Sequence, residues 1–365
     1  MAAVVMAAGA ASAKAPDSFN LCDGYDAPTT RGDGVSFEAK MGGLFATYAN
    51  YIVRRPVDPK ASGVAACTAA LADPKMKPEY WMRRASLLRA RALHQLAGGD
   101  RAAALADLDQ AYAQAPDPAD LYFRRGMGAG IDLVRALVLR LGGDQAGAEA
   151  LALKVFNERP YSSLAVNGAM VAAGPDARWE TLEPMLKRFG ELDPVVAELI
   201  FQSGVVDGRL QDTPELRSRL MPPEQLQLLG SLLPDAETQE RMPPYREITP
   251  IDSEQGYISI LSKKREGMVV RAFGNRSSIL TAQEMSLLRA AELARFEGKR
   301  GLLILQRQDY IKFDAPNPQD ARSDIQVVFT SQTGPEAKVD KAWRVMDADA
   351  IYLALSPLFP PKDRR

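Results

Sequence analysis

Residues 80–118, YWMRRASLLRARALHQLAGGDRAAALADLDQAYAQAPDP, decide how the chain is read. Small residues stand where two helices would cross closely, at Ala104 and Ala111, with Leu108 between them. Gly99-Asp100 supplies a turn before them and Pro116 ends the segment. This is the pattern of one helical hairpin, a module that buries its apolar face only by stacking on neighbours.

Working outward, the apolar spacing is helical from Ser36. FEAKMGGLFATYANYIVRRP (37–56) and ASGVAACTAALADP (61–74) read as a first pair of helices. Residues 80–116 form the next pair and 119–160 the third. Gly142-Gly143-Asp144 repeats Gly98-Gly99-Asp100 after 44 residues, and Pro160 repeats Pro116 at the same distance. Ser162 to Pro194 makes a fourth pair. VVAELIFQSGV (195–205) and PPEQLQLLGSLLP (222–234) read as capping helices, Pro222 and Pro223 suiting a helix start.

These residues resemble the tetratricopeptide repeat family. Gly99, Asp100, Ala104, Ala111 and Pro116 fill that family's turn, small-residue and proline positions in one unit. Gly143, Asp144, Ala148 and Pro160 fill them in the next, with Val155 replacing the later alanine and about ten residues in excess. The resemblance covers residues 36–195 and implies an all-α superhelix with a concave binding groove. The groove candidates, on the first helices of the pairs, are Tyr48, Tyr51, Arg54, Tyr80, Arg83, Arg84, Tyr122 and Arg125. Aromatic and arginine side chains would hold a peptide or a carboxylate terminus by stacking and bidentate pairing. Tyrosines in the core and solvated arginines are the alternative reading.

After residue 255 the periodicity changes. GYISILSK (256–263) and GMVVRAF (267–273) read as strands around the turn KKREG. Thr281-Ala282-Gln283-Glu284 reads as a capping box opening a helix that stops at Gly298. Leu287, Ala290, Ala291, Leu293 and Ala294 share one of its faces, and the three alanines allow close approach to a sheet. LLIL (302–305) is expected as a central strand, IQVVFT (325–330) and KAWRVM (341–346) as further strands, and Asp347 or Asp349 as the cap of a last helix through Leu358.

The segment from Gly274 to Leu305 resembles a domain of small alphaproteobacterial envelope lipoproteins, through Gly274, Asn275, Thr281, Leu288, Arg289, Ala290, Ala291, Glu292 and Gly298. No activity comes with that resemblance. Cys22 lacks the small-residue motif for lipid attachment, so a soluble periplasmic protein of a Gram-negative envelope is expected. The fold class is thus multidomain: an all-α tetratricopeptide-like superhelix over 36–240, a linker over 241–255, and an α+β domain over 256–365 with a small sheet and helices on one face.

Residues 1–13, MAAVVMAAGAASA, read as a signal-peptide remnant cut after Ala13, although a basic leading region is missing. Residues 14–35 form an extended lead-in, where Arg31-Gly32-Asp33 reads as a turn. Two cysteines fit export as one Cys22–Cys67 disulfide. In the chain-entropy model a bridge over that span contributes on the order of 4 kcal/mol. The alternative is two unpaired cysteines, Cys67 being a small core residue.

The 45 basic and 46 acidic residues leave a net charge of -1, no excess of cation for nucleic acid. No apolar run is long enough to span a membrane. His94, the single histidine, lies in an Arg/Ala/Leu helix and reads as structural. Gly126-Met127-Gly128-Ala129-Gly130 lacks the dinucleotide spacing and reads as a tight helix crossing. Asp107/Asp109 and Asp347/Asp349 point apart at i,i+2, and Asn275-Arg276-Ser277 is a sequon by chance. No metal site, cofactor or catalytic constellation is expected.

The leading expectation is therefore a non-enzymatic periplasmic scaffold binding a protein or peptide of the cell envelope in the repeat groove. The rival is an enzyme or small-ligand protein with its site where the two domains meet, using Arg289, Glu292 and Asp309. Self-assembly by repeat stacking is a third reading.

Overall fold

The computed structural model describes residues 17–29, 33, 35, 57–207, 209–221, 225–234, 236–239, 242–249, 256–261, 267–274, 278–310, 321–333 and 342–360. The signal segment 1–13, the helix expected over 37–56, Arg31 and Gly32, and the sequon 275–277 lie outside the described residues.

The fold is mixed α+β. Its N-terminal part holds α1 (Ser18–Cys22), α2 (Gly63–Ala72), α3 (Trp81–Ala97), α4 (Arg101–Ala113), α5 (Leu121–Phe123), α6 (Ala129–Leu141), α7 (Gln145–Glu158), α8 (Ser163–Ala173), α9 (Trp179–Leu192) and α10 (Pro194–Gly204). A two-strand ribbon, β1 (Val205–Val206) and β2 (Arg209–Leu210), leads to α11 (Pro214–Leu220) and α12 (Gln225–Leu232). The two repeated turns are built alike. Gly99 and Gly143 adopt φ +85° and +92°, conformations open to glycine. Asp100 and Asp144 then cap the next helix, accepting from Ala103 N–H at 3.0 Å and Gly147 N–H at 2.9 Å. Ala104, Leu108 and Ala111 are fully buried where α4 packs on α3. Ala148, Ala152 and Val155 take that place on α7 against α6.

Between α5 and α6 the helix passes through a π-helical turn, Arg124–Gly128, and kinks at Gly126, which is off helical geometry at φ -103°, ψ -106°. The glycines here serve close approach. A Cβ on Gly130 would stand 2.1 Å from Arg89 Nη1 and 3.1 Å from the Pro234 carbonyl.

Arg89 itself donates to the Pro234 carbonyl at 2.7 Å. The chain after α12 thus returns to α3, and α12, expected as a capping helix, packs on α8 and α3.

The C-terminal part follows the expected order of elements: β3 (Gly256–Leu261), β4 (Met268–Phe273), α13 (Ile279–Phe296), β5 (Gly301–Tyr310), β6 (Arg322–Thr330), β7 (Met346–Asp347) and α14 (Ala348–Leu355). The sheet is antiparallel throughout, in the order β3-β4-β6-β5-β7. Ala290, Ala291 and Ala294 are fully buried where α13 lies on it. Asp347 caps α14, accepting from Ala350 N–H at 3.0 Å.

Three local expectations change. The centre of the sheet is β6, and LLIL lies in β5, next to the short edge strand β7. KAWRVM is not a strand along its length: Ala342–Arg344 form a 3₁₀ turn and only Met346 pairs, because Trp343 packs on Gly190 and Arg344 donates to the Gly190 carbonyl at 3.2 Å. Thr281 is not the N-cap of α13. The helix starts at Ile279 after Ser278, which frees Thr281, Gln283 and Glu284 for contacts outside the helix.

Residues 242–249 pack against the sheet: Tyr245 and Ile248 are buried, and Glu247 bridges in parallel to Tyr257. One continuous apolar core runs from Tyr25 through the helices and across the sheet to Phe359.

Candidate functional site

Tyr48, Tyr51 and Arg54 of the predicted groove lie outside the described residues. Tyr80, Arg84 and Tyr122 are half-buried at the N-terminal ends of α3 and α5. Arg83 and Arg125 do not line an open groove. Arg83 is fully buried, held between the rings of Phe19 and Tyr25 with Nη2 3.0 Å from Asp23. Arg125 is 2.7 Å from Glu284 of α13 and also donates to the Glu158 carbonyl. It binds a carboxylate, as its side-chain chemistry suggested, but one from its own chain.

That contact belongs to a buried polar layer between α13 and the helices. Arg159, directly after α7, donates to Glu284 at 2.8 and 3.1 Å, to Glu237 at 2.8 Å and to Thr281 at 3.2 Å. Thr281 also donates to Glu237 at 2.8 Å. Burial pushes the Glu237 carboxyl up, but the Arg159 charge and the hydrogen bonds from Arg159, Ser278 and Thr281 outweigh it and hold the pKa below the ordinary value. Gln283 continues the layer, accepting from Ser162 at 2.7 Å and donating to Asp309 at 2.6 Å. These contacts run from Arg125, Arg159 and Ser162 on the helical side to Thr281, Gln283 and Glu284 of α13, so the layer joins the two parts.

The rival trio is divided. Asp309 pairs with Arg307 at 3.0 Å and with Gln283. Arg289 and Glu292 pair with each other at 3.2 Å, Tyr245 donates to Glu292 at 2.7 Å, and Arg289 lies over the Tyr257 ring.

Cys22 and Cys67 are joined as a disulfide. His94 is buried beside them: Nδ1 accepts from Lys60 N–H at 3.0 Å, which leaves Nε2–H to donate to the Cys22 carbonyl at 3.0 Å. Asp107 and Asp109 diverge to different arginines, Arg91 and Arg135. Among the described residues no group of three or more His, Cys, Asp or Glu is placed to hold a metal ion, and no helix is long and apolar enough to cross a membrane.

A cleft lies where the helical and sheet parts meet. Its volume is about 990 Å³, with Pro194, Val195 and Glu198 of α10 as wall and the sheet as floor. Ser286 of α13 approaches Ser323 at 3.4 Å, so α13 covers that face of the sheet. Alternation along the strands then turns Arg322, Asp324 and Gln326 to the other face. Their cross-strand partners form three rows there: Val269, Gln326 and Gln306; Arg271, Asp324 and Gln308; Phe273, Arg322 and Tyr310. Arg307 fixes wall to floor by donating to the Leu192 carbonyl at 3.1 Å, just before α10.

The floor mixes polar and apolar side chains: Gln306, Gln308 and Gln326 lie near Val269 and Leu305, and Asp324 stands between Arg271 and Arg322 at 3.0 Å from each. Burial moves the Asp324 carboxyl above its ordinary pKa, against the opposing pull of the two arginines. The sequence pattern predicts these strands but assigns no site residue to their open face. The signal for the other face was present as alternation, in Val269-Arg271-Phe273, Gln306-Gln308-Tyr310 and Arg322-Asp324-Gln326.

Comparisons with protein-family models, with curated proteins and with solved structures give no match.

Proposed function

We propose that this chain is a ligand-binding protein of the bacterial periplasm whose site is the cleft between α10 and the open face of the sheet. The observation that carries the reading is the cleft itself, about 990 Å³ between elements of both parts. That size suits a small organic ligand, and junctions of this kind are where such sites occur. The amide-rich floor favours a polar ligand with hydrogen-bonding groups, and Val195, Val269 and Leu305 supply apolar contact. The helical part is read as a tetratricopeptide-like array that presents the wall, on the strength of its two matching Gly-Asp turns. The Cys22–Cys67 disulfide favours export.

The test is a thermal-shift screen of polar metabolites and cell-wall fragments against the protein and Val195→Trp. Val195 is 72% exposed and lines the cleft, so the bulky side chain narrows it without disturbing the core. Ligands that raise the melting temperature only of the unsubstituted protein support the cleft. A screen without such a ligand, or one whose shifts survive Val195→Trp, removes it.

A protein-binding scaffold is the second reading, favoured by Tyr80, Arg84 and Tyr122, which stay half-buried at neighbouring helix starts. It excludes Arg83 and Arg125 from the contact. Capture of an envelope protein that is lost on Tyr80→Ala, Arg84→Ala and Tyr122→Ala together supports it, and unchanged capture removes it.

A further inference from the structure

Arg271 and Arg322 share one counter-ion. Nε of Arg271 donates to both Asp324 oxygens at 3.1 and 3.0 Å, and Nε of Arg322 lies 3.0 Å from Oδ1. Among the described residues the terminal nitrogens of both guanidinium groups make no hydrogen bond. Both side chains are partly open to solvent, at 32% and 28%. They are also fixed: the cross-strand pairing of Arg271 with Asp324 sets one, and the Tyr310 ring, 3.9 Å from the guanidinium carbon, sets the other. Two cations against one carboxylate leave a net positive charge on the face that floors the cleft, where Asp324 is a lining residue.

We propose that Arg271 and Arg322 form an oxyanion-binding pair beside the cleft, and that the ligand carries a carboxylate or phosphoryl group. The chemistry follows from the guanidinium fork, whose N–H groups match the spacing of carboxylate and phosphate oxygens. Arg271, held at Nε by Asp324, and Arg322, held against the Tyr310 ring, are oriented before the ligand arrives, so little side-chain entropy is lost on binding. The body of the ligand then lies over Gln308, Gln306 and Gln326 towards α10. This assignment rests on the cleft reading for the ligand's body; the anion pair is defined by its own residues.

The experiment is ¹H–¹⁵N NMR of the arginine Nε–Hε groups of the full chain, with Arg271→Gln and Arg322→Gln assigning the two signals. Three probes separate the sources: inorganic phosphate, an N-acetylated tripeptide acid, and the same tripeptide as its C-terminal amide. Saturable shifts of both signals with phosphate support a phosphoryl ligand, and shifts with the acid but not the amide support a carboxylate. Each glutamine variant should weaken the effective probe about tenfold or more. Absence of shifts with both anions overturns the proposal, as does equal response to acid and amide. A screen ligand without an anionic group that binds equally well to Arg271→Gln overturns the anion pair and leaves the cleft standing. Anion shifts accompanied by no ligand sensitive to Val195→Trp overturn the cleft and leave the pair.

Discussion

Arg159 and Glu284 meet at 2.8 Å between the helical part and the helix that backs the sheet, each with a side chain 1% exposed. Glu237 stands on the other side of the same guanidinium at 2.8 Å, also buried. Removing one member of such a cluster strands the others away from water, which costs more than the pair contributes over an apolar substitute. Arg159→Met should therefore destabilise by about 3–5 kcal/mol in urea unfolding. Adding Glu284→Gln and Glu237→Gln should recover part of that loss, because the stranded charges are gone. An effect below about 1 kcal/mol would mean that the layer is hydrated and weak.

The same joint bears on cooperativity. One apolar core spans both parts, and the polar layer closes on α13 from the helical side. Helical and sheet signals should lose structure together, far-ultraviolet circular dichroism coinciding with tryptophan fluorescence from Trp81, Trp179 and Trp343. Two separated transitions would show that the parts fold independently.

Glu191 gives a pH prediction of defined sign. Burial pushes its carboxyl above the ordinary value, with Arg188 at 3.3 Å and Lys187 opposing. The native state therefore holds this proton more tightly than the unfolded chain does. Stability from this group is full below the unfolded pKa and falls as pH rises through the higher folded one. Glu191→Gln should stabilise the protein at pH 7, and the gain should disappear below the ordinary carboxylate range. A variant less stable at pH 7 would show that the Arg188 contact outweighs burial.

The Cys22–Cys67 bridge closes a separation of 45 residues. It ties α1 to α2, while Arg83 and His94 hold the same segment from α3. Replacing both cysteines by alanine should lower stability by about 2–4 kcal/mol. The reductant sensitivity of the unsubstituted protein should be absent from that variant. A reductant effect that persists would place the sensitivity elsewhere.

What the sequence made legible was local. The Gly-Asp turns and the alanines of α4 are read from spacing because the hairpin's constraints lie within one unit. The order of strands and helices after residue 255 is read likewise. The polar joint was not legible. Thr281 and Glu284 have capping-box spacing, and only packing against Arg159 and Arg125 assigns them another task. Arg83 and Arg125 read as groove residues because they are arginines on first helices, and nothing in their neighbours tells a solvated arginine from one enclosed by Phe19 and Tyr25, or by α13. The cleft brings together residues as distant as Val195 and Gln326, and register alone aligns the three rows of its floor.

Asp324 governs the last prediction. Its carboxylate competes with any anion for Arg271 and Arg322, and burial holds its pKa above the ordinary value. As pH falls through that raised pKa the carboxyl becomes neutral and the arginine pair faces the ligand unopposed. Sulfate keeps its charge over this range, so its affinity should rise, by about tenfold for a unit charge removed at close range with partial screening. Asp324→Asn should bind sulfate more tightly at pH 7 and lose most of the pH dependence. Glu198 is the carboxylate facing the site from α10, and the dependence left in Asp324→Asn belongs to it. Gln308, the partner from β5, does not titrate. Weaker binding by Asp324→Asn at every pH would show that the carboxylate's orienting role exceeds its competition with the anion.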